Sequence, residues 1–148
     1  PEMSRGLGDV YKRQEADPRG IEADGNLDGD YSDHLRQSDF TVENMTIVNN
    51  AANTTDNVDR MQDVIKIRRG AKATITNAFV KGSGGTIDLI DMNDSKGAGN
   101  AASSISITHT LNFKNKLNGT LNTFTEPTTN TGADASLFTW SGYNFSSL

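Results

Sequence analysis

The sequence FTVENMTIV, residues 40–48, returns 33 positions later as ATITNAFVK, residues 73–81. A second pair of segments lies between and after them, with QDVIKI at residues 62–67 and IDLIDM at residues 87–92, 25 positions apart. Short β-branched segments that return in the order A, B, A′, B′ every few tens of residues are typical of a coiled solenoid. The sequence therefore predicts an all-β fold, a right-handed parallel β-helix.

Stacking at the 33-residue offset predicts which side chains lie above one another. The apolar pairs in the interior would be Val42 with Ile75 and Ile47 with Val80. Asn44 would stack on Asn77, at the point where the alternation of apolar residues changes phase. Stacked asparagine side chains can hydrogen-bond to one another and to the backbone of a turn. The sequence therefore predicts an asparagine corner between two short strands.

The composition limits the classes of function that the chain can have. Its 148 residues carry 14 basic and 19 acidic side chains, a net charge of −5, which argues against a groove for nucleic acid. It contains no cysteine, so neither a disulfide framework nor a thiolate metal site is available. No stretch of the sequence approaches the roughly 18 consecutive apolar residues of a membrane span. We therefore expect no nucleic-acid partner and no membrane span.

The first residues are expected not to be native sequence. DVYKRQ, residues 9–14, reads codon for codon like a translated transposon-type sequencing adapter, and residues 1–8 resemble the lead-in often found with it in assembled environmental genes. The alternative is a genuine basic arm. We expect residues 1–14 to be an adapter-derived arm, and the remainder to be a C-terminal fragment whose upstream coils are its partners.

Residues 15–136 are expected to form the coils and loops of the β-helix, and residues 137–148 a C-terminal cap. Residues 138–145 contain four aromatic side chains. Such a cluster is typical of a segment that covers the open end of a solenoid, where apolar faces and unpaired strand edges are otherwise exposed. The alternative is a platform for a ligand.

An acidic turn follows the first predicted strand, and its side chains are spaced like the start of a calcium-binding loop. The candidate ligands are Asp24, Asn26, Asp28 and Asp30. Such a loop needs a bidentate carboxylate at its twelfth position, where this sequence has Leu35. We therefore expect a solvated turn without a metal, and the alternative is a bound calcium ion.

Charged residues accompany the second pair of segments and form a predicted row on one outer face. The row consists of Asp63, Lys66, Arg68, Asp88 and Asp91. The 25-residue offset places Lys66 beside Asp91, and it places Asp63 beside Asp88, a like-charged contact about 4.8 Å apart along the stack. We expect these carboxylates to point outward into solvent, and the alternative is a shared cation such as calcium.

The row has two interpretations. Several parallel β-helix enzymes that cleave acidic polysaccharides place acidic and basic groups along one outer face, so the row is a candidate glycan-facing surface, with Lys66 or Arg68 as the base. The alternative is an ordinary charged face, in which Arg69 pairs with Asp94 at the same offset. His34 and the other histidine of the chain have no second ligand at metal spacing and no nucleophile motif beside them.

Four segments arrive together and in order, and they resemble one family. They are GIEAD at 20–24, DFTVENMTIV at 39–48, DVIKIRRG at 63–70 and DLID at 88–91. They are similar to the C-terminal part of large secreted bacterial surface proteins, often lipoproteins, with a right-handed parallel β-helix. The resemblance implies this fold and an extracellular or outer-surface location, and it implies no catalytic residue.

These observations favour a non-catalytic extracellular or cell-surface module that serves display, adhesion or contact with polysaccharide. The first alternative is a polysaccharide lyase or hydrolase of the parallel β-helix type. The second is a purely structural end of a longer solenoid. A concave row of exposed aromatic side chains would favour contact with a glycan, and a featureless charged face would favour the structural role.

Overall fold

The computed structural model describes residues 18–26, 37–50 and 61–145. Within these ranges the chain forms nine strands and one 3₁₀ helix. They are β1 (Ile21–Asp24), β2 (Asp39–Glu43), β3 (Thr46–Asn49), β4 (Met61–Arg68), β5 (Lys72–Gly82), β6 (Thr86–Asp91), β7 (Ser104–His109), β8 (Asn115–Asn118), β9 (Thr123–Thr125) and the 3₁₀ helix Ala135–Ser141. The predicted N-terminal arm lies outside the described residues. No helix within them is long and apolar enough to span a membrane.

The strands form two parallel sheets. The first sheet has the order β1-β4-β6-β8, and the second has the order β2-β5-β7-β9 with β3 also paired to β5. The pairs between these strands are all parallel. From β3 onward the chain alternates between the two sheets, so hydrogen-bonded neighbours come from successive coils. The all-β prediction is confirmed, and the parallel pairing agrees with it.

Columns of apolar side chains run through both sheets in the predicted register. In the second sheet one column consists of Val42, Ile75, Ile105 and Phe124, and another begins with Ile47 and Val80. The first sheet contributes a column of Ile21, Ile65, Ile90 and Leu117. The two sheets share a single buried apolar cluster, in which Ile65 and Ile75 are fully buried. Each fully buried side chain of this size stabilises the fold by about 1.5–3 kcal/mol.

Asn44 and Asn77 form the predicted corner. Both have left-handed backbone, with φ of 57° and 51°, a conformation that asparagine adopts more readily than most residues. Asn77 Nδ2 donates a hydrogen bond to Asn44 Oδ1 at 2.7 Å. The corner explains why the eleven-residue β5 pairs with two short strands, and why its register with β7 shifts between Ile75 and Ala78.

Residues 126–134, which we call the strap, run back along the second sheet after the last strand. The strap contacts β7 at Ser106, β5 at Asn77 and β3 at Thr46. At its centre Asn77 Oδ1 accepts a hydrogen bond from Thr131 N at 2.8 Å. Thr46, Asn77 and Ser106 are partly exposed, and each is followed by a buried apolar residue, so the strap lies on the outer face.

The aromatic segment, residues 137–145, does not form the predicted cap over the last coil. The strap brings it instead to the side of β3, and the 3₁₀ helix buries none of its own residues. Leu137 and Trp140 are 69% and 83% exposed. A cap needs an apolar face against the terminal strands, whereas polar contacts of the strap hold this segment beside an earlier coil.

Candidate functional site

The stacking of β4 on β6 brings most of the predicted charged row together. Asp63 pairs with Asp88 and Lys66 pairs with Asp91, as the 25-residue offset predicts. Lys66 Nζ donates to Asp91 and lies 4.0 Å from Asp63 Oδ2. Carboxylate oxygens of the three aspartates all lie within 4.8 Å of one another. We call Asp63, Lys66, Asp88 and Asp91 the charged cluster.

The expectation that these carboxylates point into solvent is wrong. Asp63, Asp88 and Asp91 are 5%, 6% and 7% exposed, and Lys66 is 9% exposed. A regular strand would place Asp63 and Lys66 on opposite faces, since they are three residues apart. Their proximity shows that the alternation breaks at the two fully buried residues between them.

Side chains from neighbouring coils cover the charged cluster. Arg19 Nε donates to Asp63 Oδ2 at 3.2 Å. On the other side, Asn115 and Asn118 of β8 donate to the two oxygens of Asp88 at 2.6 and 3.3 Å. Sequence reasoning missed these three partners because none of them belongs to the repeated segments. Buried polar groups with such partners avoid most of the cost of leaving water.

A second group of ion pairs lies at the carboxyl ends of β1 and β4. Arg68 donates to both oxygens of Asp24 and, at 2.6 Å, to Glu22. Arg69 Nε donates to Asp94 Oδ1 at 3.3 Å, which confirms the predicted pair. Both arginines therefore link side chains from adjacent coils.

The pKa values of Asp63 and Arg68 are both raised, but for different reasons. Burial raises the pKa of Asp63, against the lowering effect of Lys66 and Arg19. The hydrogen bond to Asp24 raises the pKa of Arg68, and the charges of Asp24 and Glu22 act in the same direction. Arg68 is therefore held as a guanidinium even more firmly than an ordinary arginine.

The arrangement does not fit a resident calcium ion at the charged cluster. Calcium takes six to eight oxygen ligands, whereas the space between Asp63 and Asp91 is taken by the ammonium group of Lys66. At the predicted calcium loop, both carboxylate oxygens of Asp24 accept hydrogen bonds from Arg68. Two of the other candidate ligands, Asp28 and Asp30, lie outside the described residues.

A concave surface on the second sheet provides a different candidate site. A cavity of about 390 Å³ lies between the aromatic segment and the outer faces of β3 and β5. Its lining includes Thr46, Val48, Phe79, Lys81, Phe138 and Phe145. The rings of Phe138 and Phe145 lie 5.7 Å apart, and Tyr143 packs its edge on Phe145 at 4.9 Å. The aromatic cluster was visible in the sequence, but the strap that positions it was not.

The parallel strands of successive coils stack on one another, with apolar side chains in columns and ion pairs between adjacent coils. This arrangement defines a protein of the β-helix class. The chain belongs to the family of pectate-lyase-like β-helix domains, whose family model matches residues 6–143. Comparison with curated proteins and with solved structures gives no significant match. The matched range includes residues 6–14, and the adapter interpretation of that arm stays a prediction.

The substitution Asp63→Asn is expected to change the free energy of unfolding by less than about 1 kcal/mol at neutral pH, because asparagine still accepts from Arg19. The pH dependence of this stability difference shows whether the carboxylate of Asp63 is buried. Because the pKa of Asp63 is raised by folding, its contribution is favourable at low pH and is lost as pH rises through that pKa. The variant should therefore gain stability relative to wild type as pH increases. Urea unfolding of both proteins across the acidic range measures this difference, and a flat or falling difference contradicts the burial of the charge.

Proposed function

We propose that this chain is a non-catalytic module of an exported protein, a closed right-handed β-helix that contacts extracellular polysaccharide. One observation carries the proposal. The charged groups that could perform chemistry are engaged by neighbours from adjacent coils, Lys66 by Asp91 and Arg68 by Asp24. The right-handed sense follows from the hand that nearly all connections between parallel strands of one sheet adopt.

The two side chains that the sequence suggests as bases are poorly placed for acid–base catalysis. A base must come within hydrogen-bond reach of the proton that it removes from the sugar. Lys66 is 9% exposed and lies among the carboxylates of the charged cluster, and Arg19 from the adjacent coil donates to Asp63. The raised pKa of Arg68 opposes its use as a base. Both residues are better suited to holding the coils together.

The aromatic cavity of the second sheet is the surface that we assign to polysaccharide. A pyranose ring presents an apolar face and an edge of hydroxyl groups, and binding sites combine apolar walls with a few polar groups. Here Phe79 and Phe138 supply aromatic walls, and Thr46 and Lys81 supply polar groups. Phe138 is 38% exposed, so part of its ring is accessible for stacking.

Affinity electrophoresis in gels that contain polygalacturonate or a neutral polysaccharide tests the proposal. We expect wild type to be retarded by at least one of these polymers, and Phe138→Ala, which removes an aromatic wall of the cavity, to weaken binding by about tenfold. Arg68→Gln serves as the control, because it alters the charged face and leaves the aromatic cavity intact. Absence of retardation in both gels overturns the contact with polysaccharide, and a loss confined to Arg68→Gln moves it to the charged face.

The second candidate function is a polysaccharide lyase, favoured by the three clustered carboxylates and by the family of the chain. A lyase cleaves the polymer by elimination and leaves a double bond in the sugar at the new end. Incubation with polygalacturonate, with and without calcium, followed by absorbance of that unsaturated product, separates the two functions. We expect no product, and product formation by the wild-type chain overturns the non-catalytic assignment.

A further inference from the structure

His109, the last residue of β7, touches two hydrogen-bond acceptors at once. Its Nδ1 lies 2.9 Å from the carbonyl oxygen of Leu111. Its Nε2 lies 2.8 Å from Oε1 of Glu126, the first residue of the strap. The imidazole therefore bridges the end of a core strand and the start of the strap.

A neutral imidazole cannot make both of these hydrogen bonds, because it has one N–H group and one lone pair. A carbonyl oxygen only accepts, so Nδ1 must carry a proton. The Nε2 contact then needs a proton from His109 or from Glu126. Burial alone would raise the pKa of Glu126, but hydrogen bonds from Lys116 and His109 outweigh it and lower that pKa. Glu126 is therefore a carboxylate, and both contacts are satisfied when His109 is an imidazolium.

Other side chains contact the imidazole or its partner Glu126. Lys116 of β8 donates to the same oxygen of Glu126 at 2.9 Å, and Phe113 meets the imidazole edge-on at 5.0 Å. From β5, the apolar Val80 is the strand partner of His109. Among the described residues packed against it, the charged groups are thus Glu126 and Lys116, one of each sign.

We propose that His109 is a pH-sensitive fastener of the strap, closed when the imidazolium donates to both Leu111 and Glu126 and opened when it loses its proton. Deprotonation leaves a lone pair facing either the carbonyl or the carboxylate, and in both tautomers it removes the positive charge that attracts Glu126 of the strap. Histidine is the side chain whose charge ordinarily changes between pH 5 and 8. The strap is therefore held in mildly acidic solution and loosened as pH rises.

The fastener acts on the aromatic segment through the strap. Beyond Glu126, the strap is held by Thr108, which donates to Pro127 O, and by Asn77, which accepts from Thr131 N. Because the strap leads into the aromatic segment, its loosening changes the position of the cavity wall. The contact of His109 holds the strap whether or not the cavity binds polysaccharide.

Hydrogen exchange measured by NMR tests the fastener on the intact chain. The readout is the protection factor of the Thr131 amide, which corrects for the intrinsic pH dependence of exchange. We expect it to fall about tenfold between pH 5.5 and 8.5, as the loss of a charge-assisted hydrogen bond implies. The fall should follow the same midpoint as the ring resonances of His109. The amide of Lys72, which donates to Ser38 O at 2.8 Å at the opposite end of β5, is the internal reference and should stay protected.

Two variants separate the fastener from general loosening. His109→Gln should show low protection of Thr131 at every pH, without the transition. Lys116→Gln removes the neighbouring cation but leaves both contacts of the imidazole, so the transition should persist. Protection that is constant with pH in wild type, or a transition that survives in His109→Gln, overturns the proposal. The wild-type titration needs no variant, so the test holds even if His109→Gln does not fold.

Discussion

Lys66→Met is expected to lower the free energy of unfolding by about 3–5 kcal/mol, the usual cost of removing one partner from a buried ion pair. Methionine keeps the unbranched stem and therefore most of the packing. What it removes is the ammonium group among three carboxylates that lie within 4.8 Å of one another. Because Asp63, Asp88 and Asp91 are nearly excluded from water, solvent cannot replace the lost charge. The loss is a large share of the 5–15 kcal/mol that stabilises a typical domain.

Urea denaturation followed by circular dichroism measures this loss, and Lys72→Met is the matched control. Lys72 pairs with Asp39 at 3.0 Å in the second sheet, but these side chains are 36% and 59% exposed. An exposed pair contributes at most about 1 kcal/mol. The deficit of Lys66→Met should also shrink as pH falls, since protonation removes the uncompensated carboxylates. Equal losses in the two variants would show that the cluster is solvated and that its burial has no energetic consequence.

The repeated segments were sufficient to predict the sheets and their register. Val42 over Ile75 and Lys66 beside Asp91 follow from two offsets, because residues at a constant offset occupy equivalent places in successive coils. The third coil was only partly visible. Ser104–His109 alternates cleanly, but β8 and β9 have four and three residues, too few to show a period.

The burial of the charged cluster could not be predicted, because it depends on side chains that the offsets do not relate. Arg19 precedes β1, and Asn115 lies in a coil whose sequence does not resemble the repeat. The strap escaped prediction for a similar reason, since its hydrogen bonds to β5 join residues more than 50 positions apart and have no local pattern. The sequence spacing thus predicted which charged side chains of β4 and β6 lie next to one another. Their burial depends on contacts with residues distant in the sequence.

The corner at Asn77 is expected to be the most sensitive polar position of the second sheet. Asn77 donates to Asn44 Oδ1 and to Gly132 O, and it accepts from Thr131 N. Asn77→Ala removes these hydrogen bonds and puts alanine, which tolerates left-handed backbone less well than asparagine, at φ 51°. Strain of about 1–2 kcal/mol and the lost hydrogen bonds together give an expected loss of about 2–4 kcal/mol. Urea denaturation measures the total.

Asn77→Gly separates the two contributions, because glycine adopts the left-handed backbone without strain. The loss of stability in Asn77→Gly should therefore be about half of the loss in Asn77→Ala. The amide of Thr131 should lose protection from hydrogen exchange in both variants. Thr76→Ala, at the exposed neighbouring position, is the control and should stay within about 0.5 kcal/mol of wild type.

Unlike the transition assigned to the histidine fastener, the loss of Thr131 protection in the Asn77 variants should be independent of pH, because an amide side chain does not titrate. Equal stabilities of the alanine and glycine variants would show that the backbone at this corner is not strained, and unchanged protection of Thr131 would show that the strap is held elsewhere.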